Sequence, residues 1–496
     1  MMKKLRVRWP SLVILGALCL IGFEVSSGTT VAQEAAVDAT VPAAAETPAM
    51  AETPAMTAET PAADAAPAPT PPALNNGDQA WMLASSALVL FMTPGLAFFY
   101  GGLVRRKNVL SVLMQCFLCM CIVSVLWVVV GFSMAFGSDV AGGFCGNPWE
   151  YFMLKDITTT DPWAPMPNVW WPISEQVFMV FQMMFAIITP GLIIGAFAER
   201  MKFSSFALFL VAWILLVYCP ICHWVWYGAM GIGAFDPVDA LPIGALDFAG
   251  GTVVHINAGI AALVTCIVLG KRADVPKGGV PPHNLPFAVL GAGILWFGWF
   301  GFNGGSAGGA TPQAVQAFVT TQVAAACAGL VWSLIEWLMH GRPTMLGMIT
   351  GAVAGLVAIT PAAGFVEVGP ALIIGGVASI ICFFFVALVK PMVGYDDALD
   401  VFGVHGIGGV WGAIATGIFA LPGFGLNKAG GMMYTGELGQ VLLQLKAIGM
   451  TAVYSGLVTF VILMVIKVVL GLRTSQDGEL AGLDVTDHAL PAYSDH

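Results

Sequence analysis

The sequence predicts an all-α membrane protein of eleven transmembrane helices, a five-plus-five inverted repeat with one helix added, N-terminus out and C-terminus in. Three observations predict it. The composition is that of a bilayer protein, the apolar runs and the lysine and arginine positions fit one topology, and two acid-histidine segments recur five spans apart. Of the 496 residues, 58% are hydrophobic and only 10% charged, with a mean hydropathy of +0.85, whereas soluble chains carry about 25% charged residues. The net charge of −10 owes much to an acidic tract near the start and to the C-terminal tail. No basic cluster recommends nucleic acid as a partner. Ten cysteines are scattered, mostly in apolar runs, and read as small buried hydrophobes rather than a disulfide framework.

In chain order, Lys3, Lys4, Arg6 and Arg8 precede a short apolar run (12–23), and Thr30-Val31-Ala32 offers a small-residue cleavage site. Residues 1–32 are therefore read as a secretory signal peptide, removed in the mature protein. Residues 33–76 repeat Glu-Thr-Pro-Ala at 46, 52 and 59 among alanines and prolines. That composition has little to bury and reads as a disordered tether. The membrane domain is placed at 77–472 and a cytoplasmic tail at 473–496.

Eleven apolar stretches are long enough for a span of about 20 residues. They lie near 80–102, 109–136, 174–198, 204–230, 251–270, 284–304, 314–340, 344–360, 369–390, 402–422 and 438–471. Fifteen lysines and arginines lie outside the leader. Twelve of them, including Arg105, Arg200, Arg272, Lys277, Arg342, Lys390 and Arg473, fall at alternate connections or the C-terminal end, against Lys155, Lys428 and Lys446 on the other side. The positive-inside rule then puts the C-terminus in the cytoplasm.

Asp247-Phe248-Ala249-Gly250-Gly251 leads into an apolar run carrying His255, and Asp400-Val401-Phe402-Gly403-Val404 leads into one carrying His405. An ionisable residue within a span is costly and marks a functional site by default. Five spans apart, the two segments run in opposite directions, as an inverted repeat requires. Each histidine is about 7 Å into its run, which would leave the pair roughly 15 Å apart across a 30 Å core. They meet only if both helices begin below the surface, with Asp247 and Asp400 near their N-caps and irregular backbone buried in protein.

The segment DFAGGTVVHINAGIAALVTCIVLGKR (247–272) closely resembles the signature of the ammonium transporter, methylammonium permease and Rhesus protein family. So do FMTPGLAFFYGGLVRRKN (91–108), GAFAER (195–200), PHNLP (282–286), WFGWFGFNGGSAG (296–308) and DVFGVHG (400–406), in the order found in bacterial ammonium transporters. The resemblance covers about residues 77–488. It implies an ammonium transporter with an outer substrate site at Phe185, Trp226 and Ser306, where aromatic faces and a hydroxyl replace part of the cation's water. It implies a hydrophobic gate at Phe185 and Phe302, and a hydrogen-bonded imidazole pair, His255 and His405, in the pore. Phe181, one turn before Phe185, and Trp299, one turn before Phe302, are weaker pore-lining candidates. Asp247 reads as a structural cap more than a cation ligand, because an uncompensated buried charge is costly.

The resemblance further implies ammonium or ammonia, with methylammonium as an analogue, as substrate, a homotrimer with a pore through each subunit, and a PII-type signalling protein at the cytoplasmic face. In the tail, Gly482-Leu483-Asp484 and His488 fit the family, but Ala489-Leu490 departs from its Gly-Glu. The alternatives are an ammonium sensor on the same scaffold and a Rhesus-type channel for a neutral gas. No enzymatic role, metal or cofactor is implied. Cys219-Pro220-Ile221-Cys222-His223 fits the C-x-x-C-H attachment sequence of c-type haem; within a span such a haem would need a cavity and a second axial ligand. His283, His340, His488 and His496 read as solvated residues of helix ends and tail.

Overall fold

The computed structural model describes residues 70–164, 170–227, 244–275, 280–423 and 430–493. The leader, the tether up to residue 69, Lys277, Lys428 and His496 lie outside the described residues. Among the described residues the fold is all-α apart from one two-stranded hairpin, β1 (Asp139–Val140) with β2 (Cys145–Gly146).

Among the described residues ten helices are long and apolar enough to cross a membrane. They are α1 (Asn76–Leu103), α2 (Arg106–Phe136), α3 (Glu175–Phe197), α4 (Phe203–Tyr227), α5 (Gly251–Leu269), α6 (Leu285–Gly305), α7 (Pro312–His340), α9 (Val368–Val393), α10 (Phe402–Phe419) and α11 (Gly439–Val469). Between α7 and α9 runs a shorter apolar helix, α8 (Met345–Ile359). The chain is thus a multi-span helical membrane protein, with boundaries within a few residues of the apolar runs. Helix starts follow local chemistry. The side chains of Asn75, Ser174, Asn284, Thr311 and Thr344 accept amide N–H groups at the starts of α1, α3, α6, α7 and α8.

Helix α3 is almost wholly buried, whereas α2, α9 and α11 leave most of their apolar surface outward, as expected where lipid replaces protein. Helix α1 packs along α6, α7 packs against α8 and α9, and α5 lies between α3 and α11. The close crossing of α5 and α10 positions the site. A Cβ on Gly259 would lie 2.3 Å from the Cα of Gly406, a separation no side chain tolerates, so glycine is required where these two backbones touch.

Charge is concentrated at one end. Glu199, after α3, is fully buried and pairs with Arg105 at 2.9 Å and Arg272 at 3.1 Å. Arg272 also holds Asp396 at 2.8 Å. Arg200, fully buried, donates to the carbonyls of Ala196, Ala198 and Asp396. The tail closes over this end as α12 (Gln476–Ala481) and α13 (Leu483–His488). Asp484 accepts the amide of Ser111, Asn108 accepts that of Leu483, Glu479 that of Ala273 and Asp487 that of Phe203. Two histidines expected in solvent are packed instead. His283 bridges the Val104 carbonyl and the Tyr493 hydroxyl, and His488 lies edge-on to Phe203, because the tail gives both rings neighbours that lie far away in sequence.

Burial pushes the Glu199 and Asp396 carboxyls up, but the arginine hydrogen bonds outweigh it and hold both below the usual range, Asp396 at about 2. Their contribution is therefore complete above the unfolded carboxylate range near about 4 and is lost as pH falls through the depressed folded values. Glu199→Gln leaves two arginines undercompensated and is expected to lower stability by about 3 kcal/mol. Thermal melting in detergent at neutral pH checks it, and the gap between wild type and variant should shrink on acidification.

Candidate functional site

Asp247 sits in a buried loop ahead of α5 and does the work of a cap. Its Oδ1 accepts the amides of Gly250 at 2.9 Å and Gly251 at 2.6 Å, and its Oδ2 those of Thr252 at 2.9 Å and Val253 at 3.1 Å. Four amides that a helix starting inside the membrane leaves orphaned are thereby satisfied. Gly250 adopts φ +108°, a left-handed conformation that favours glycine. The loop is pinned from α11, where Gln444 exchanges hydrogen bonds with both backbone groups of Leu246 and Gln440 donates to the Gly244 carbonyl.

The second helix is capped differently from the sequence expectation. The carboxylate that accepts the amide of Phe402, at 2.8 Å, is Asp397 and not Asp400. Asp400 turns away with φ +61° and takes Lys390 at 2.5 Å. Asp397 is fully buried with Oδ1 unpartnered; burial pushes its carboxyl up to about 6, opposed by Lys390 and reinforced by Asp400. Three aspartates stand within five residues, and only the tight turn before α10 decides which one reaches the amide.

Both histidines lie in wide, π-helical turns, Gly251–Ile256 and Phe402–Gly406, a local departure often found at functional sites. Each is at most 5% exposed, and their Nδ1 atoms are 3.2 Å apart. One ring donates and the other accepts, so the contact holds a single proton. His255 Nε2 is buried without a partner. The separation expected from run positions alone is closed because both helices start deep and cross at Gly259 and Gly406.

From this pair a file of rings leads to the end opposite the arginines. Trp299 stacks on His255 at 5.4 Å and 16°, its indole donating to Thr360 at 2.9 Å. Phe302 lies 6.1 Å from His255 and 4.3 Å from Phe185. Phe181 and Trp226 meet Phe185 edge-on at 5.0 Å and 5.5 Å. Trp226 donates from its indole to the Asp247 carbonyl at 3.0 Å, and the Ser306 hydroxyl donates to the Phe302 carbonyl at 2.9 Å. Phe181, Phe185, Trp226, Asp247, His255, Trp299, Phe302, Ser306 and His405 are thus linked in one chain of contacts. Sequence reading missed Asp397, Thr360 and the Gly259–Gly406 crossing; the glycine four residues after His255 was the available signal for the last.

Between Phe302 and the histidines is a cavity of about 10 Å³, lined by Leu96, Ile188, Val254, Leu295 and Val353 among others. That is close to the smallest space that admits one water-sized molecule. Past His405 a cavity of about 510 Å³ opens towards Arg272, Glu336, Lys390 and Asp396. The arrangement suits a small solute that sheds most of its hydration at one end and regains polar surroundings at the other. In the Cys219–His223 segment the thiols are buried and both nitrogens of His223 are engaged by Ala135 and Asp139, leaving none to ligate iron.

The family model described as Ammonium Transporter Family matches residues 80–493. An ammonium transporter of Aquifex aeolicus is 49% identical over 422 residues, 85% of this chain and 94% of that protein. One of Bacillus subtilis is 47% identical over 421 residues, 84% of this chain and 99% of that protein. The crystal structure of Saccharomyces cerevisiae Mep2 superimposes with a TM-score of 0.73 at 35% identity, covering 82% of this chain and 88% of that one. With this coverage, and with paired histidines in an apolar bundle, the chain belongs to the ammonium transporter family.

Proposed function

We propose that this protein is an ammonium transporter of the plasma membrane, not an enzyme, which binds ammonium outside, deprotonates it at the gate and passes ammonia along the histidine pair. The observation that carries the reading is the 3.2 Å contact between His255 and His405 at the inner end of an aromatic file. Ammonium gains from the faces of Phe185 and Trp226 and from the Ser306 oxygen, about 0.5–2 kcal/mol per ring. Among the described residues no carboxylate lines the narrow cavity between Phe302 and the histidines, and an unpaired charge buried there is expensive. Ammonium has a way out that a metal cation lacks, because it can leave its proton and continue as a small neutral amine. With His255 donating across the contact to His405, the unpartnered His255 Nε2 carries the lone pair that takes the ammonium proton, the shared proton passes to His405, and the His405 Nε2–H is released on the far side. Phe181 and Trp299 wall the file, and Asp247, its oxygens taken up by four amides, shapes the site through the Trp226 indole.

The same reading orients the chain. The arginine-rich end and the docked tail face the cytoplasm, and the aromatic end faces out. We take α8 as the eleventh span. It is about 22 Å long and ends inside the protein, where the Pro361 carbonyl accepts the Phe248 amide. Helices α1–α5 and α6–α10 form the inverted halves, with α11 added; the similar caps and wide turns of α5 and α10 support this. The family resemblance supports a homotrimer with a pore in each subunit, and a PII-type protein as cytoplasmic partner, with methylammonium as an analogue substrate. A secretory leader (1–32), a tether (33–76), a membrane domain (77–472) and a tail (473–496) complete the organisation.

Reconstituted in proteoliposomes, the wild type should give a saturable ammonium current, and His255→Ala should abolish it or admit other cations. An unchanged, selective current in that variant would remove the relay role, and absence of both current and methylammonium uptake in the wild type would favour a sensor. Trp226→Leu is expected to raise the half-saturating methylammonium concentration about twofold to thirtyfold, the loss of one cation–π contact. A neutral-gas channel would show no such change.

A further inference from the structure

Ser306 follows the last residue of α6, and its hydroxyl proton is committed to the Phe302 carbonyl at 2.9 Å. What it offers a solute is therefore oxygen lone pairs, which accept from an N–H cation. Where those lone pairs point depends on the run Gly304-Gly305-Ser306-Ala307-Gly308-Gly309-Ala310, a backbone with almost no side chains of its own to anchor it. The anchors come from other elements. Ahead of Ser306 the Trp81 indole donates to the Gly304 carbonyl at 3.1 Å, and after it the Ala310 amide donates to Oδ1 of Asp78 at 2.8 Å. A Cβ on Gly309 would lie 2.6 Å from that same oxygen, and one on Gly305 would lie 2.6 Å from the Phe181 ring, so the run is also gripped sterically. Trp171 covers Gly308, whose φ is +74°.

Asp78 and Trp81 both stand at the start of α1, and that start is itself fixed. Asn75 Oδ1 accepts the amides of Gly77 and Asp78, the Asn75 amide donates to the Pro172 carbonyl at 2.8 Å, and Gln79 Oε1 accepts the Ser174 amide at 3.1 Å. Ser174 caps α3, the helix that carries Phe181 and Phe185. One short stretch of α1 thus ties the end of α6, with its hydroxyl, to the start of α3, with its rings. We propose that Asp78 and Trp81 are positioning residues for the outer ammonium site: the start of α1 is a clasp that holds the turn bearing Ser306 at a fixed place relative to Phe185. The proposal rests on the reading that Ser306 and Phe185 belong to that site. Asp78 acts in it as a hydrogen-bond acceptor and not as a charge that draws in the cation, and Trp81 acts through its indole N–H. A binding group fixed before the solute arrives costs no ordering on binding. Loosening either anchor frees the hydroxyl to swing, which should weaken ammonium binding while leaving passage beyond the gate at nearly its full rate.

The test is the concentration dependence of methylammonium uptake into proteoliposomes. Asp78→Ala removes the acceptor, and Trp81→Phe removes the donor while keeping a ring over Gly304. Each should raise the half-saturating concentration about threefold to tenfold, the range of one lost hydrogen bond, with maximal uptake far less affected. Asp78→Asn gives up the charge but keeps an oxygen for the Ala310 amide, so it should keep the wild-type half-saturation. A half-saturation raised as far in Asp78→Asn as in Asp78→Ala overturns the proposal in favour of an effect of charge. A lowered maximal uptake with unchanged half-saturation in Trp81→Phe overturns it in favour of a purely structural role, and that variant decides the matter alone if Asp78→Ala does not reach the membrane. Ser306→Ala separates the two readings. An unchanged half-saturation there removes the hydroxyl site and the clasp with it, whereas a raised one beside wild-type values in Asp78→Ala and Trp81→Phe removes only the clasp.

Discussion

The structure depends on the crossing of α5 and α10 at Gly259 and Gly406. Two imidazoles can touch within a membrane only if their helices approach more closely than side chains allow and begin below the surface. Both conditions have consequences. A buried helix start exposes amides that lipid cannot satisfy, so each needs a carboxylate set into protein, and the irregular chain ahead of it needs polar partners. Asp247, Asp397, Gln440 and Gln444 meet those needs. The wide turns then swing His255 and His405 towards one another instead of along their own helix faces.

The starts of α5 and α10 are capped unequally. The oxygens of Asp247 are filled by four amides, whereas Asp397 keeps one oxygen free and leaves the nearby lysine to Asp400. A charged, arginine-locked end with its tail folded over it contrasts with the file leading to the opposite end, whose lining is aromatic rings, indole donors and the Ser306 hydroxyl. That polarity matches a path on which a cation is recognised by aromatic faces, loses its charge in the narrow section, and emerges into a wide cavity lined by acids and bases. The cavity between Phe302 and the histidines is too small and too apolar for a hydrated ion, and the proposed reading therefore puts selectivity in proton chemistry.

Local sequence spoke clearly wherever one residue type had one physical use. Runs of apolar residues located the spans, the basic residues clustered on one side of alternate connections, and the paired acid-histidine segments marked the core of the site. It was ambiguous where several residues could perform the same task. Asp396, Asp397 and Asp400 are equivalent as text, and their separate roles with Arg272, the Phe402 amide and Lys390 follow from the turn. His283 and His488 read as solvated because their neighbours, Tyr493 and Phe203, are remote in sequence. Cys219–His223 resembled a haem attachment sequence because five residues carry no information about cavities.

Composition, periodicity and motif spacing determined by themselves that the chain is a helical membrane protein, which residues face the question of conduction, and to what family they point. Those properties depend on neighbours along the chain. Tertiary structure alone decided that the two imidazoles meet at Nδ1, that glycine rather than any side chain separates their helices, and that His223 lies between two acceptors. Each is a contact between segments far apart in sequence, and such contacts are fixed only when the packed backbones settle their depth and rotation.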